Sequence, residues 1–279
     1  MDQISEIIIN FNAISIPKYL LYELIIEHKH LIRKWIECRK NQPFCNELLE
    51  TQSEIPEELK YTGWQTDKDY YCKTPLMLWI DYRNNESIPE ELKYPGWQTD
   101  KDNYCETPLM LWIHYRNNES ILEELKCPGW QTDKNKCSKT LLILCIRYRK
   151  DEPILEELKY PGWQTDKNND GETPLMSWIH HRKNEPIPEE LKYRGWQTDK
   201  NNSGETPIMI WIEYRNNEPI PEELFYPNWQ TDSNSSGETP LTLWIQYRRN
   251  EPIPEELKYL GWQTDTNNFG NTPLMLWII

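Results

Sequence analysis

Paired carboxylates recur along this chain: Glu90-Glu91, Glu156-Glu157 and Glu255-Glu256 each set two acids side by side. Such pairs serve general acid–base catalysis when their environments push the two pKa values apart. A catalytic set is normally unique, whereas this pair returns in every copy of one phrase, at helix starts where negative charge favours the fold. The glutamates are therefore assigned to structure. His114 and His180 share one register, but two helix spacings of about 8–10 Å hold them roughly 16–20 Å apart, too far for one metal. His180-His181 and His28-x-His30 read as surface residues. The seven cysteines (Cys38, Cys45, Cys72, Cys105, Cys127, Cys137 and Cys145) form no Cys-x-x-Cys pair, which argues against a zinc site, and their odd number argues against a disulfide framework. Cys72 and Cys105 replace turn glycines in adjacent copies, where a bridge would strain the permitted Cα separation. Glycine-rich phosphate loops and nucleophile elbows are absent. The expectation is a non-enzyme with no catalytic residue, cofactor or metal, and with free thiols in a reducing, cytoplasmic setting.

The elements that would position any such residue repeat at a fixed step of 33 residues. A Thr-Pro-Leu-Met-Leu-Trp-Ile phrase, with substitutions, is anchored on Thr74, Thr107, Thr140, Thr173, Thr206, Thr239 and Thr272. Gly-Trp-Gln-Thr-Asp keeps the same step through Trp64, Trp97, Trp130, Trp163, Trp196, Trp229 and Trp262. A period of this length implies a repeat array in which each unit packs on its neighbours. In the copy from Gly195 to Pro227, Asn201, Asn202, Ser203 and Gly204 read as a turn, Thr206 as an N-cap and Pro207 as the first helical residue. Ile208 to Tyr214 is apolar nearly all round, so this inner helix lies buried between neighbours. Pro219 ends it, and Pro221, Glu222 and Glu223 open a second, short helix packed through Ile220 and Leu224.

Fourteen tryptophans and sixteen tyrosines compensate for a low apolar content, since a well-buried aromatic removes roughly 150–250 Å² from water. A formal charge of −14 disfavours nucleic acid and anionic membrane as partners. There is no signal-peptide core and no transmembrane stretch. Residues 1–50 are expected to form an N-terminal helical cap: residues 17–40 carry apolar side chains at helical spacing, and Trp35 to Asn41 echoes the inner-helix phrase as a degenerate first repeat. Residues 51–279 are the tandem repeats. The last copy stops inside its inner helix, so Trp277 and Ile278 form a candidate surface for self-association. The third copy loses several anchors together, with Cys127 for Tyr, Ser138 for Gly, Leu141 for Pro and Cys145 for Trp, which predicts a hinge around residues 121–149.

Turn, Thr-Pro-Leu helix, second helix and closing glycine at this step resemble the ankyrin repeat over about residues 51–279. Gly171, Gly204, Gly237 and Gly270 stand two residues before Thr-Pro-Leu, as that family's turn glycine does, and Gly195 or Gly261 resembles the glycine that ends its second helix. Met77, Met110, Met176, Met209 and Met275 replace the family's histidine, and Trp and Ile replace its paired alanines. Tetratricopeptide and leucine-rich signatures do not fit. The resemblance implies an all-α, ankyrin-like helix-turn-helix solenoid with short turn or hairpin tips, and a binding face lined by those tips and by the exposed ends of the inner helices.

The copies differ most at two positions that fall on that face. The third residue before each Thr is Tyr71, Tyr104, Cys137, Asp170, Ser203, Ser236 and Phe269; the seventh after it is Asp81, His114, Arg147, His180, Glu213 and Gln246. These are the candidate protein-binding residues of a scaffold or adaptor. A second reading of the same array is a truncated or vestigial member of an expanded repeat family, or an effector or decoy array with a structural role.

Overall fold

The computed structural model describes residue 55 and residues 60–278 apart from 84 and 151. The expected cap over residues 1–50 lies outside the described residues. The chain divides into two compact units, Met1–Trp130 and Gln131–Ile279. Over its described residues each is an all-α repeat. Among the described residues there is no strand, only an isolated bridge between Lys134 and Thr140, and no helix is long and apolar enough to cross a membrane.

The first unit holds α1 (Pro75–Tyr82) and α2 (Pro108–Tyr115), packed on each other. The second stacks α3 (Leu141–Tyr148), α4 (Pro174–His181), α5 (Pro207–Tyr214), α6 (Pro240–Tyr247) and α7 (Pro273–Ile278) in chain order. Thr206 stands at the N-cap of α5 with Pro207 as its first residue, as expected, but makes no side-chain cap bond, whereas other copies do. Thr74, Thr107 and Thr173 accept hydrogen bonds from the N–H groups of Met77, Met110 and Met176, while Thr239 and Thr242 form a reciprocal capping box. Eight residues are too few for a helix to persist alone in water. Burial on all sides holds it instead: Leu76, Met77, Trp79 and Ile80 are at most 1% exposed.

The expected second helix is present, but as a single 3-10 turn that starts one residue later than expected. Pro221 stays extended at φ −64°, ψ 137°, and only Glu222–Leu224 coil, as one 3-10 turn. Glu90–Leu92, Glu123–Leu125, Glu156–Leu158, Glu189–Leu191 and Glu255–Leu257 do the same. One side chain explains it: the leucine of each turn is at most 1% exposed, and three residues suffice to deliver it. A further 3-10 turn, Trp64–Thr66 and its equivalents, buries the second tryptophan. Gly63 enters that turn at φ 86°, a left-handed conformation open to glycine and rare in other residues. The Tyr61 hydroxyl donates to Asp67 across it.

The carbonyls left open at the ends of α1, α3, α4 and α5 are closed from the next repeat by a buried arginine. Arg116 donates through Nη2 to the carbonyls of Trp79 (3.2 Å) and Arg83 (2.6 Å), through Nε to Ile80 (3.3 Å) and through Nη1 to Glu86 (2.6 Å). Arg248 repeats this pattern on Trp211, Ile212, Arg215 and Glu218. Each guanidinium lies over the tryptophan of its own helix, at 4.3 Å for Arg215 on Trp211 and 4.4 Å for Arg116 on Trp112. Here the negative end of one helix dipole meets a charge supplied by the next repeat.

Candidate protein-binding face

Each tip is closed by an Asn or Asp side chain. Asn201 Oδ1 accepts from the N–H groups of Ser203 (3.0 Å) and Glu205 (2.9 Å), and the Asn201 carbonyl accepts from Gly204 N–H at 3.0 Å. Asp69, Asp102, Asn135, Asn168, Asn234 and Asn267 make the same Oδ1 bonds. Gly171 is required twice over, by φ 77° and by contact: a Cβ there would meet Asn202 Oδ1 at 2.5 Å. Cys72, Cys105 and Ser138 hold the equivalent position at φ 57–60°, a conformation side chains rarely adopt.

Successive tips within a unit are joined through the backbone. Asn103 N–H donates to the Tyr71 carbonyl, Asn169 to Cys137, Asn202 to Asp170, Ser235 to Ser203 and Asn268 to Ser236, all at 2.8–2.9 Å. Side-chain amides add a second rung, as Asn103 Nδ2 donates to the Tyr70 carbonyl and Asn202 Nδ2 to Asn169. The acceptors of the first rung are the residues third before Thr. Side chains at this position stand in solvent: Tyr71, Tyr104 and Phe269 are 43%, 56% and 74% exposed. Cys137, Asp170 and Ser203 are also exposed, and Ser236 is half-buried.

The residues seventh after Thr are less open than the sequence predicts. Asp81 is buried, while His114, Arg147, His180, Glu213 and Gln246 are half-buried. Asp81, His180 and Glu213 face the residue immediately before Thr, which sequence reasoning overlooked. Lys73 pairs with Asp81 at 2.8 Å, and Glu172 meets His180 Nδ1 at 3.2 Å. The signal was available, since Lys73 opposes Asp81 where Glu172 opposes His180. Tyr70, 81% exposed and edge-on to Tyr71 with ring centroids 5.2 Å apart, was also overlooked.

Charge along this stripe follows from packing. His180 stacks on His181 with ring centroids 4.3 Å apart and meets Tyr214 at 4.0 Å with the rings tilted by 37°. Burial, and next the charge of His180 and Arg147, push His181 down to about 4. These two histidines are therefore half-buried, which corrects their reading as surface residues. Burial would raise the Glu172 carboxyl, but hydrogen bonds from His180 and Asn168 outweigh it and hold Glu172 below its ordinary value. Burial, then the Glu205 carboxylate, raises Glu213. Among the described residues no group of three acidic, histidine or cysteine side chains converges as a metal site, and Cys72, Cys105, Cys127, Cys137 and Cys145 are free thiols. No protein-family model matches this chain, and no curated protein sequence matches it.

Proposed function

We propose that this protein is a non-enzymatic, ankyrin-like scaffold that binds a protein partner through its row of tips, in a reducing intracellular compartment. The observation that carries this reading is the division of labour at the residue third before Thr. At Tyr71, Cys137, Asp170, Ser203 and Ser236 the carbonyl is committed to the neighbouring tip, whereas the exposed side chain at this position runs through Tyr71, Tyr104, Asp170, Ser203 and Phe269. A constant backbone presenting varied side chains suits recognition. Exposed tyrosine and phenylalanine are the side chains that anchor protein interfaces. The residues seventh after Thr contribute less, because Asp81 and His180 are engaged within their own repeats.

Affinity capture from cells with the intact chain, against a variant carrying Tyr71→Ser, Tyr104→Ser and Phe269→Ser, tests the reading. Loss of reproducible partners by the variant, with its circular dichroism and melting temperature unchanged, is the expected result. An identical set of captured proteins would sink it.

A further inference from the structure

Lysine and glutamate interlock along the 3-10 turns. Lys93 Nζ donates to Glu90 of its own turn and to Glu124 of the next repeat, both at 2.6 Å. Lys192 sits between Glu189 and Glu223 at 2.5 Å from each, and Lys159 between Glu156 and Glu190. These three lysine side chains are only 14–17% exposed. Each ammonium is held by one carboxylate from either side of a repeat boundary.

Phe225 interrupts this ladder. It stands at the lysine position of its turn, and its ring stacks on Trp229 with centroids 4.8 Å apart and planes 13° apart. In an earlier copy Lys126 Nζ lies 5.5 Å from the centroid of the equivalent ring, that of Trp130. Both carboxylates that flank a lysine in the other turns are present here. Glu222 precedes Phe225 by three residues, as Glu189 precedes Lys192, and Glu256 follows it by 31, as Glu223 follows Lys192. Both are exposed, and among the described residues no cationic side chain pairs with either.

We propose that Glu222, Glu256 and the ring of Phe225 form a subsite for a primary ammonium, supplied by a lysine side chain of a protein partner. The neighbouring turns act as internal controls, since carboxylates at the same two positions there hold an ammonium. Phe225 adds an aromatic face that attracts a cation. Two carboxylates supply too few oxygens for calcium, which takes about six to eight. A formal charge of −14 draws a basic partner toward the chain, and because one exposed ion pair contributes little affinity, the subsite fixes where such a partner lands.

An NMR titration of the isotope-labelled full chain tests this with Nα-acetyllysine methylamide, the same compound acetylated on its ammonium, and spermidine. Saturable shifts are expected around Phe225, Trp229 and Glu256 with the lysine derivative and none with its neutral analogue, while the turns at Lys93, Lys159 and Lys192, which hold their own ammonium, stay still. Glu222→Gln or Glu256→Gln weakens the response about threefold, as loss of one exposed ion pair does, and Phe225→Lys abolishes it by completing the ladder from within. Shifts of equal size at every turn, or a response that survives both Phe225→Lys and the two glutamine substitutions combined, overturn the proposal. Saturation by spermidine with no response to the lysine derivative also overturns it, by assigning the subsite to a free polyamine.

Discussion

Arg215 is 0% exposed and donates to the carbonyls of Ile179 (2.9 Å), Glu185 (2.9 Å) and Trp178 (3.4 Å), with Glu218 Oε2 at 3.1 Å from Nη1. Removing it leaves those carbonyls and a carboxylate without their donor, the situation that makes breaking a buried ionic contact cost about 3–5 kcal/mol. Arg215→Met is expected to lose stability of that order in urea unfolding, and Arg215→Lys to recover only part of it, because an ammonium neither forks nor stacks flat. A Met variant as stable as the parent would remove arginine from the spine. His181 gives a separate prediction, in pH. Its ordinary value of 6.5 falls to about 4 in the fold, so between those values the unfolded chain binds the proton that the folded chain excludes. The stability it contributes is complete above pH 6.5 and drains away as pH falls toward 4. Tyrosine holds this place in α2, α3, α5 and α6. His181→Tyr should therefore flatten the fall in melting temperature between about pH 7 and pH 5, and parallel falls in both proteins would contradict that origin.

Elements differ in how far their chemistry shows in the sequence. The inner helices were legible, because Thr and Pro at a helix start act locally, through one hydroxyl and one fixed φ. The tip was legible for the same reason: an Asn or Asp side chain and a left-handed glycine close it without outside help. The second element was overread. Pro221 and the Glu pair suit a helix start, yet only Leu224 needs burial and one 3-10 turn achieves it. Arginine was missed for the opposite reason. A charged residue is read as solvent-facing, and only the approach of the preceding helix end, 33–37 residues earlier in the chain, gives Arg116 its acceptors. Its recurrence at one step through Arg83, Arg116, Arg149, Arg182, Arg215 and Arg248 was the available clue. In the third copy Cys145, 8% exposed, stands where Trp79, Trp112, Trp178, Trp211 and Trp244 are buried in other copies, and that substitution was legible in the sequence.

At the scale of the whole molecule, apolar burial and net charge oppose each other at α7. Leu274, Met275, Trp277 and Ile278 are 66%, 50%, 51% and 73% exposed, whereas in α6 Leu241, Trp244 and Ile245 are at most 4% exposed. Each such side chain gains roughly 1.5–3 kcal/mol on leaving water, and we propose that in this chain the gain is realised by contact with another copy. A formal charge of −14 on each chain resists that contact. The repulsion is long-ranged and screened beyond about 10 Å at 0.1 M salt, while the apolar attraction is short-ranged and survives screening. Self-association is therefore expected to rise as salt is added, the reverse of an ionic interface. Trp277→Asp combined with Ile278→Asp should hold the chain monomeric at every salt concentration in multi-angle light scattering. A parent chain that stays monomeric across the same salt series would show that this face makes no contact with a second copy, and would leave the tips as the array's surface for partners.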